Sequence, residues 1–365
     1  MVNMRSVARR LRGRRPRAVL AVAAGCLAAT TAAACSSSTS AAGNGSSSTA
    51  AGTSASATSI KLGYPLPNVQ SVAVQIAVKN GIFKKYGLNV TATSLGTANV
   101  VNAALTSGSV DYSLTSASQL ISSVAQGAGV IAISGYTVGT PVDVIFSNSF
   151  IAQHKLSTSM PVSQLVKALS GAHVGVSSPV IKTQEGTLLK AYGVDPNSVK
   201  TLTVSSESGL AALLKSGQID AFIAGPPVPQ EAVAQGAGKI LVTSLNAPVW
   251  NAGNANLVLA ANASYAKANP ALTKKVAAAV HAAVEYVMSN KSAAAQQSAS
   301  LLSATPAEVQ ASLPLAGYST CAPMSTGLWN KTIQFSIQSG SLTAGATADE
   351  GKVWTNDYVA AQSGC

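Results

Sequence analysis

Arginine is confined to the first 17 residues of this 365-residue chain, as Arg5, Arg9, Arg10, Arg12, Arg14, Arg15 and Arg17. Everything after them must therefore bind any carboxylate or phosphate without the bidentate guanidinium clamp. Charged residues are sparse, at 10% of the chain. Formal net charge is +12, but seven of the 24 basic residues are those arginines, which leaves 17 lysines against 12 acids, or about +5. No lysine cluster exceeds the pairs Lys84-Lys85 and Lys274-Lys275, so the electrostatic footprint of a nucleic-acid binder is missing. The histidines, His154, His173 and His281, have no Asp, Ser or Cys at catalytic spacing, and no nucleophile stands out. Catalytic residues, metal ligands and cofactors are accordingly not expected. Cysteine is scarce as well: beyond Cys26 and Cys35 only Cys321 and Cys365 occur. Such a pair, in an oxidising compartment, is read as one disulfide, with two free thiols as the alternative.

The arginine-rich start runs into a small, apolar stretch from Ala18 to Ala34, the pattern of an export signal. Seventeen Ala-rich residues barely span a bilayer, so cleavage is favoured over a membrane helix. The ending Ala32-Ala33-Ala34-Cys35 resembles a bacterial lipoprotein signal, in which the cysteine is acylated and becomes the new N-terminus. Residues 1–34 are thus the expected signal peptide and Cys35 the expected lipid attachment, with Cys26 as its rival. The place implied is the extracytoplasmic face of the cell membrane, held by a lipid anchor. Residues 35–59 are almost wholly Ser, Thr, Ala and Gly, a composition with too little apolar surface to offset the entropy of ordering. A coil of that length spans roughly 25–30 Å, enough to hold a domain off a membrane.

From residue 60 on, strand and helix patterns alternate. Ile60–Tyr64 and Leu88–Thr93 are expected strands around a helix over Val69–Asn80 that Gly81 ends. Further strands fall at Pro141–Phe146, His173–Ser177, Lys239–Thr243 and Asn256–Ala260, and helix dominates from Asn269. An internal echo stands out: helix, glycine and strand over Ala103 to Asp111 recur over Ala211 to Asp220. Asp111 and Asp220, 109 residues apart, are read as structural turn residues rather than a catalytic pair. The fold class expected is α/β, with mostly parallel sheets covered by helices in two lobes.

The segment "SVAVQIAVKNGIFKKYGLNV" from Ser71 resembles the opening of the nitrate, sulfonate and taurine solute-binding family, to which the thiamine pyrimidine synthase is similar in fold. "LTSGSVDYSLTS" from Leu105, "ALSGAHVGVSS" from Ala168 and "LKSGQIDAFIAGPP" from Leu214 follow in the family's order. The resemblance implies a two-lobed type II periplasmic-binding-protein fold with a helical C-terminal region, closing on its ligand by a hinge. Crossovers then fall near Asp143–Asn148 and Asn254–Ala260, making 60–148 with 254–365 lobe 1 and 149–253 lobe 2. The implied function is a monomeric solute-binding component of an ABC importer, partnered by its permease and ATPase, that captures a small polar or anionic, sulfonate- or nitrate-like solute in the cleft between the lobes. Alternatives are binding of a neutral heterocycle such as a thiamine pyrimidine precursor, and a receptor that presents ligand to a sensor. The pyrimidine-synthase activity is disfavoured, since no cysteine lies between Cys35 and Cys321.

In open α/β sheets, ligands sit beyond the carboxyl ends of strands, where helix N-termini expose backbone N–H groups. That rule selects Leu66 and Asn68, Thr115 and Ser116, Ser177 and Ser178 with Lys182, and Gly225 with Pro226. Ser116 with Gln119 also reads as a capping box. Tyr136 is added as a wall for the ligand; Phe222 and Trp250 are the other candidates, although aromatics at strand ends are more often core.

Overall fold

The computed structural model describes residues 57–204 and 207–362. The expected signal, Cys26, Cys35, nearly all of the expected tether, and Cys365 lie outside them. The strands are β1 (Thr58–Tyr64), β2 (Leu88–Ser94), β3 (Tyr112–Ser116), β4 (Val130–Gly135), β5 (Asp143–Ser147), β6 (His173–Val176), β7 (Lys200–Thr203), β8 (Ala221–Ala224), β9 (Gly238–Thr243) and β10 (Leu257–Asn262). They form two five-stranded sheets, in the orders β2-β1-β3-β10-β4 and β7-β6-β8-β5-β9. In each sheet one strand runs against the rest: β10 against β3 and β4, and β5 against β8 and β9. β1 takes in Thr58 and Ser59, two residues that composition alone assigns to the tether, because they pair with Leu88 and Asn89 of β2.

The helices are α1 (Val72–Lys79), α2 (Ile82–Lys85), α3 (Ala98–Thr106), α4 (Ala117–Ala125), α5 (Asn148–His154), α6 (Val162–Lys167), α7 (Pro179–Ala191), α8 (Glu207–Lys215), α9 (Val228–Ala234), α10 (Ala263–Ala268), α11 (Pro270–Ser289), α12 (Lys291–Ser298), α13 (Pro306–Ser312) and α14 (Thr326–Gln338). Short polar residues at strand ends start several of them: Ser147, Ser178 and Asn262 each accept a backbone N–H of the helix that follows. None of the described helices is long and apolar enough to cross a membrane.

Both sheets are buried on both faces, as the apolar runs of β4 and β5 require. The first carries one cluster around Leu62, Tyr112, Ile133 and Leu259 and another around Leu120, Val258, Trp329 and Trp354. The second carries Val144, Phe146, Leu188 and Trp250 on one side and Ile145, Leu210 and Phe222 on the other. The helical tail packs mainly on the first sheet: α11 buries Val276, Val280, Ala283 and Val287 at helical spacing and lies along α1. α13 also reaches α9, on the second sheet.

This is the expected two-lobed α/β architecture. Asp143–Phe146 pair with β8 and Asp143–Ser147 with β9, so β5, in the stretch expected as the first crossover, runs within the second sheet.

Candidate functional site

The crossovers place the carboxyl ends of both sheets opposite each other. β4 ends at Gly135, and the chain then enters β5 at Asp143, which pairs with Ala224 and Thr243, the last residues of β8 and β9. The return leaves β9 at Thr243 and enters β10 at Leu257, paired with Ser116, the last residue of β3. The two connections are stitched together: Thr137 N donates to Leu257 O (3.0 Å), Asn256 N to Thr137 O (2.9 Å), Gly139 N to Asn254 O (2.9 Å) and Thr140 N to Trp250 O (2.7 Å). A narrow double ribbon thus joins two carboxyl edges, the geometry of a hinge below a cleft.

Of the expected residues, several meet this edge with surface free. Leu66, after β1, is 63% exposed, and its loop is tied to the loop after β2 by Leu66 N to Gly96 O (2.9 Å). Asn68 spends its side-chain oxygen on Gln70 N (2.9 Å) and Ser71 N (3.2 Å), shaping the entry to α1. Ser116 does not form the expected capping box. Its hydroxyl lies 3.0 Å from that of Ser118, and no side-chain cap bond starts α4. Ser178 does cap, accepting from Ile181 N at 3.3 Å, while Ser177 precedes it at the end of β6. Lys182 is exposed in the first turn of α7, where its charge acts on Glu185. Gly225 and Pro226 follow β8, and a Cβ on Gly225 would lie 3.4 Å from Pro141 O, so this loop rests on the crossover.

Two expected contacts are turned inward. Thr115 is fully buried and donates its hydroxyl to Asn102 on α3 (2.7 Å), since β3 is covered on both faces. Tyr136 is 1% exposed; its hydroxyl donates to Gln70 O, and its ring meets Tyr318 edge-on at 5.7 Å. Burial pushes its hydroxyl well above the ordinary phenol pKa. It braces the α1 entry from behind rather than walling a ligand. Phe222 and Trp250 are core, and Trp250 donates to Gln184 O at 3.3 Å.

Asp111 and Asp220 do the same structural job twice. Asp111 accepts from Lys61 N and Asp220 from His173 N, each at 2.8 Å, fastening the start of a central strand to its neighbour. His173 adds a 3.4 Å contact to Asp220, His281 sits 3.3 Å from Glu285, and His154 stacks on Phe150. Among the described residues no three His, Cys, Asp or Glu gather as a metal site. Cys321 is disulfide-bonded, and its expected partner Cys365 lies outside the described residues.

Sequence reasoning missed two features. Val100, in the first turn of α3, and Val180, in that of α7, are 50% and 67% exposed at the carboxyl edges, alongside Leu66. The apolar residue one or two places past a helix start was the available signal. The second is Asp143 itself, fully buried, whose Oδ2 accepts from Gln230 Nε2 at 2.7 Å. A lone carboxylate in the apolar run Pro141–Phe146 announced it, and nothing local announced its partner.

The fold recurs among solved structures. The periplasmic aliphatic sulphonate binding protein SsuA from Escherichia coli matches with a TM-score of 0.60 at 16% identity, over 76% of this chain and 85% of its own. The periplasmic nitrate-binding protein NrtA from Synechocystis PCC 6803 matches at 0.59 and 16%, over 79% and 83%. DszB in complex with biphenyl-2-sulfinic acid matches at 0.55 and 15%, over 80% and 95%. No curated protein sequence matches the chain. The NMT1-like family profile covers residues 53–303, from before β1 to the turn ahead of α13, and the chain belongs to the NMT1-like family.

Proposed function

We propose that this chain is the extracytoplasmic solute-binding component of an ABC importer, tethered through Cys35 after loss of residues 1–34. The observation that supports it is the pair of facing carboxyl edges on a two-stranded connection, a clamp that closes on a small molecule. SsuA and NrtA, which share this fold, are by name sulphonate- and nitrate-binding proteins of the periplasm. Lobe 1 is then residues 57–142 with 254–362 and lobe 2 residues 143–253, the first boundary set by where β5 pairs. The Cys321–Cys365 pairing, the permease and ATPase as partners, and the monomeric state belong to the same proposal.

The solute is a small organic molecule with a polar or anionic head. The side-chain N–H groups of Asn68, with hydroxyls and backbone N–H groups at Ser116, Ser177, Ser178 and Gly225 and with Lys182 nearby, suit a weakly hydrated head such as a sulfonate. The exposed Leu66, Val100 and Val180 favour an apolar body over bare nitrate. The same apolar residues also favour the second reading, a neutral heterocycle such as a thiamine pyrimidine precursor. A thermal-shift panel of alkanesulfonates, taurine, nitrate and pyrimidine precursors tests both. At a hundredfold excess over Kd a true ligand adds about 2.7 kcal/mol of stability. A saturable rise for one organic class supports the proposal and names the solute, whereas nitrate alone, or a flat panel with well-folded protein, overturns this ligand class.

A further inference from the structure

Between the two lobes, beside the crossover into β5 and lined by none of the four cleft loops, lies a cavity of about 560 Å³. Its floor is Asp143 and Gln230; Val233, Ile240 and Leu245 wall it from α9, β9 and the turn after β9, and Ala311, Pro314 and Leu315 from the end of α13 and the turn that follows. Gln230 Nε2 occupies one oxygen of Asp143, but Asp143 Oδ1 and Gln230 Oε1 have no hydrogen-bond partner in the protein. Asp143 is 0% and Gln230 9% exposed, so both free acceptors are out of water. A buried acceptor left unpaired costs free energy, and a buried carboxylate costs more, unless a donor meets it.

The charge around the floor has one sign. Glu308 is the other titratable group lining the cavity, held at its rim by accepting from Thr305 N at 2.7 Å. No lysine or histidine lines it. Two of the chain's exposed large apolar side chains, Val233 (40%) and Leu245 (59%), face the same space. Anionic solutes are repelled here, and an alcohol offers a single donor for two acceptors. An alkylammonium group brings two or three N–H donors and no acceptor, and its hydrocarbon body matches the walls.

We infer that the Asp143–Gln230 cavity is a second binding site, distinct from the cleft, for a small organic cation: a protonated primary or secondary amine on an apolar body. Such a ligand touches α9 and β9 of one lobe and the α13 region of the other, so occupancy biases the relative placement of the lobes. The site stands whatever solute the cleft takes.

Titration calorimetry of the whole protein at pH 8 with hexylammonium chloride, against hexanol and hexanesulfonate, tests it. Saturable one-to-one binding of the amine is expected, with no heat from hexanol. Asp143→Asn weakens the amine by at least about tenfold, the weight of one charge-assisted hydrogen bond. Ala311→Phe fills the cavity, keeps the carboxylate and also abolishes binding, so the test survives if Asp143→Asn folds poorly. Failure of hexylammonium to bind, or equal binding by both variants and the parent, overturns the site. A cleft ligand found in the thermal-shift panel continues to bind Ala311→Phe, whose substitution lies on α13 and outside the cleft loops, which keeps the two proposals separately testable.

Discussion

Burial raises the Asp143 carboxyl from 3.8 to about 7, because ionising it strands a charge beside an apolar sheet edge, and the Gln230 hydrogen bond offsets only part of that cost. Between those two values the folded chain holds a proton that the unfolded chain has released. Stability therefore falls as pH rises from about 4 to about 7, and the loss is complete above the folded-state value. At about 1.4 kcal/mol per unit, this one residue accounts for a few kcal/mol at most. Asp143→Asn keeps the shape without the titration. Urea unfolding at pH 4.5 and pH 8 is expected to show the variant gaining on the parent by roughly 2–4 kcal/mol between the two pH values. An equal pH dependence in both chains would mean that Asp143 ionises freely. The residue was visible in the sequence as a lone acid among Val and Ile. Its role was not, because Gln230 lies 87 positions away and only the packing of α9 on β5 brings the two together.

The repeated helix, glycine and strand unit is where sequence and structure agree most closely. Gly108 and Gly217 both take the left-handed conformation, at φ 73° and 74°, and let the chain turn from α3 into β3 and from α8 into β8. Three residues on, Asp111 and Asp220 dock those strands. Open space surrounds a Cβ at Gly217, so Gly217→Ala is opposed by backbone strain alone and costs about 1 kcal/mol. Gly186, inside α7, is equally open but has ordinary helical φ, and Gly186→Ala is expected to stabilise by up to about 1 kcal/mol. Urea midpoints that move in opposite directions confirm this; two shifts of the same sign refute it. Elements of this kind were legible because glycine position and apolar period are local signals. The direction of a strand-end side chain is not: Thr115 and Tyr136 stand in the right segments but face Asn102 and Gln70, since the sheet is covered on both faces. The Ser116–Gln119 capping box did not form, and the Ser116 hydroxyl lies 3.0 Å from that of Ser118 instead.

At the scale of the whole molecule, the two lobes are unequal in how they are built. The second sheet comes from one continuous stretch, with its own clusters on both faces. The first is interrupted: β10 sits between β3 and β4, yet it and the core residues Trp329 and Trp354 arrive only after the second lobe has been traversed. The ordering entropy of that long excursion is carried by lobe 1, whereas lobe 2 needs nothing outside Asp143–Trp250 to complete its sheet. The chain's three tryptophans separate the two: Trp250 is buried in lobe 2, and Trp329 and Trp354 stack 6.4 Å apart in lobe 1. In a Trp329→Phe, Trp354→Phe background, Trp250 reports lobe 2 alone. Changing position 329 to Ala instead of Phe in that background removes a fully buried ring and costs lobe 1 about 3–5 kcal/mol. Far-UV circular dichroism is then expected to show an early partial loss of structure, while Trp250 fluorescence keeps the midpoint of the background protein. If both signals shift together, the hinge ribbon and the α13–α9 contact couple the lobes into one cooperative unit, and the autonomy of lobe 2 is refuted.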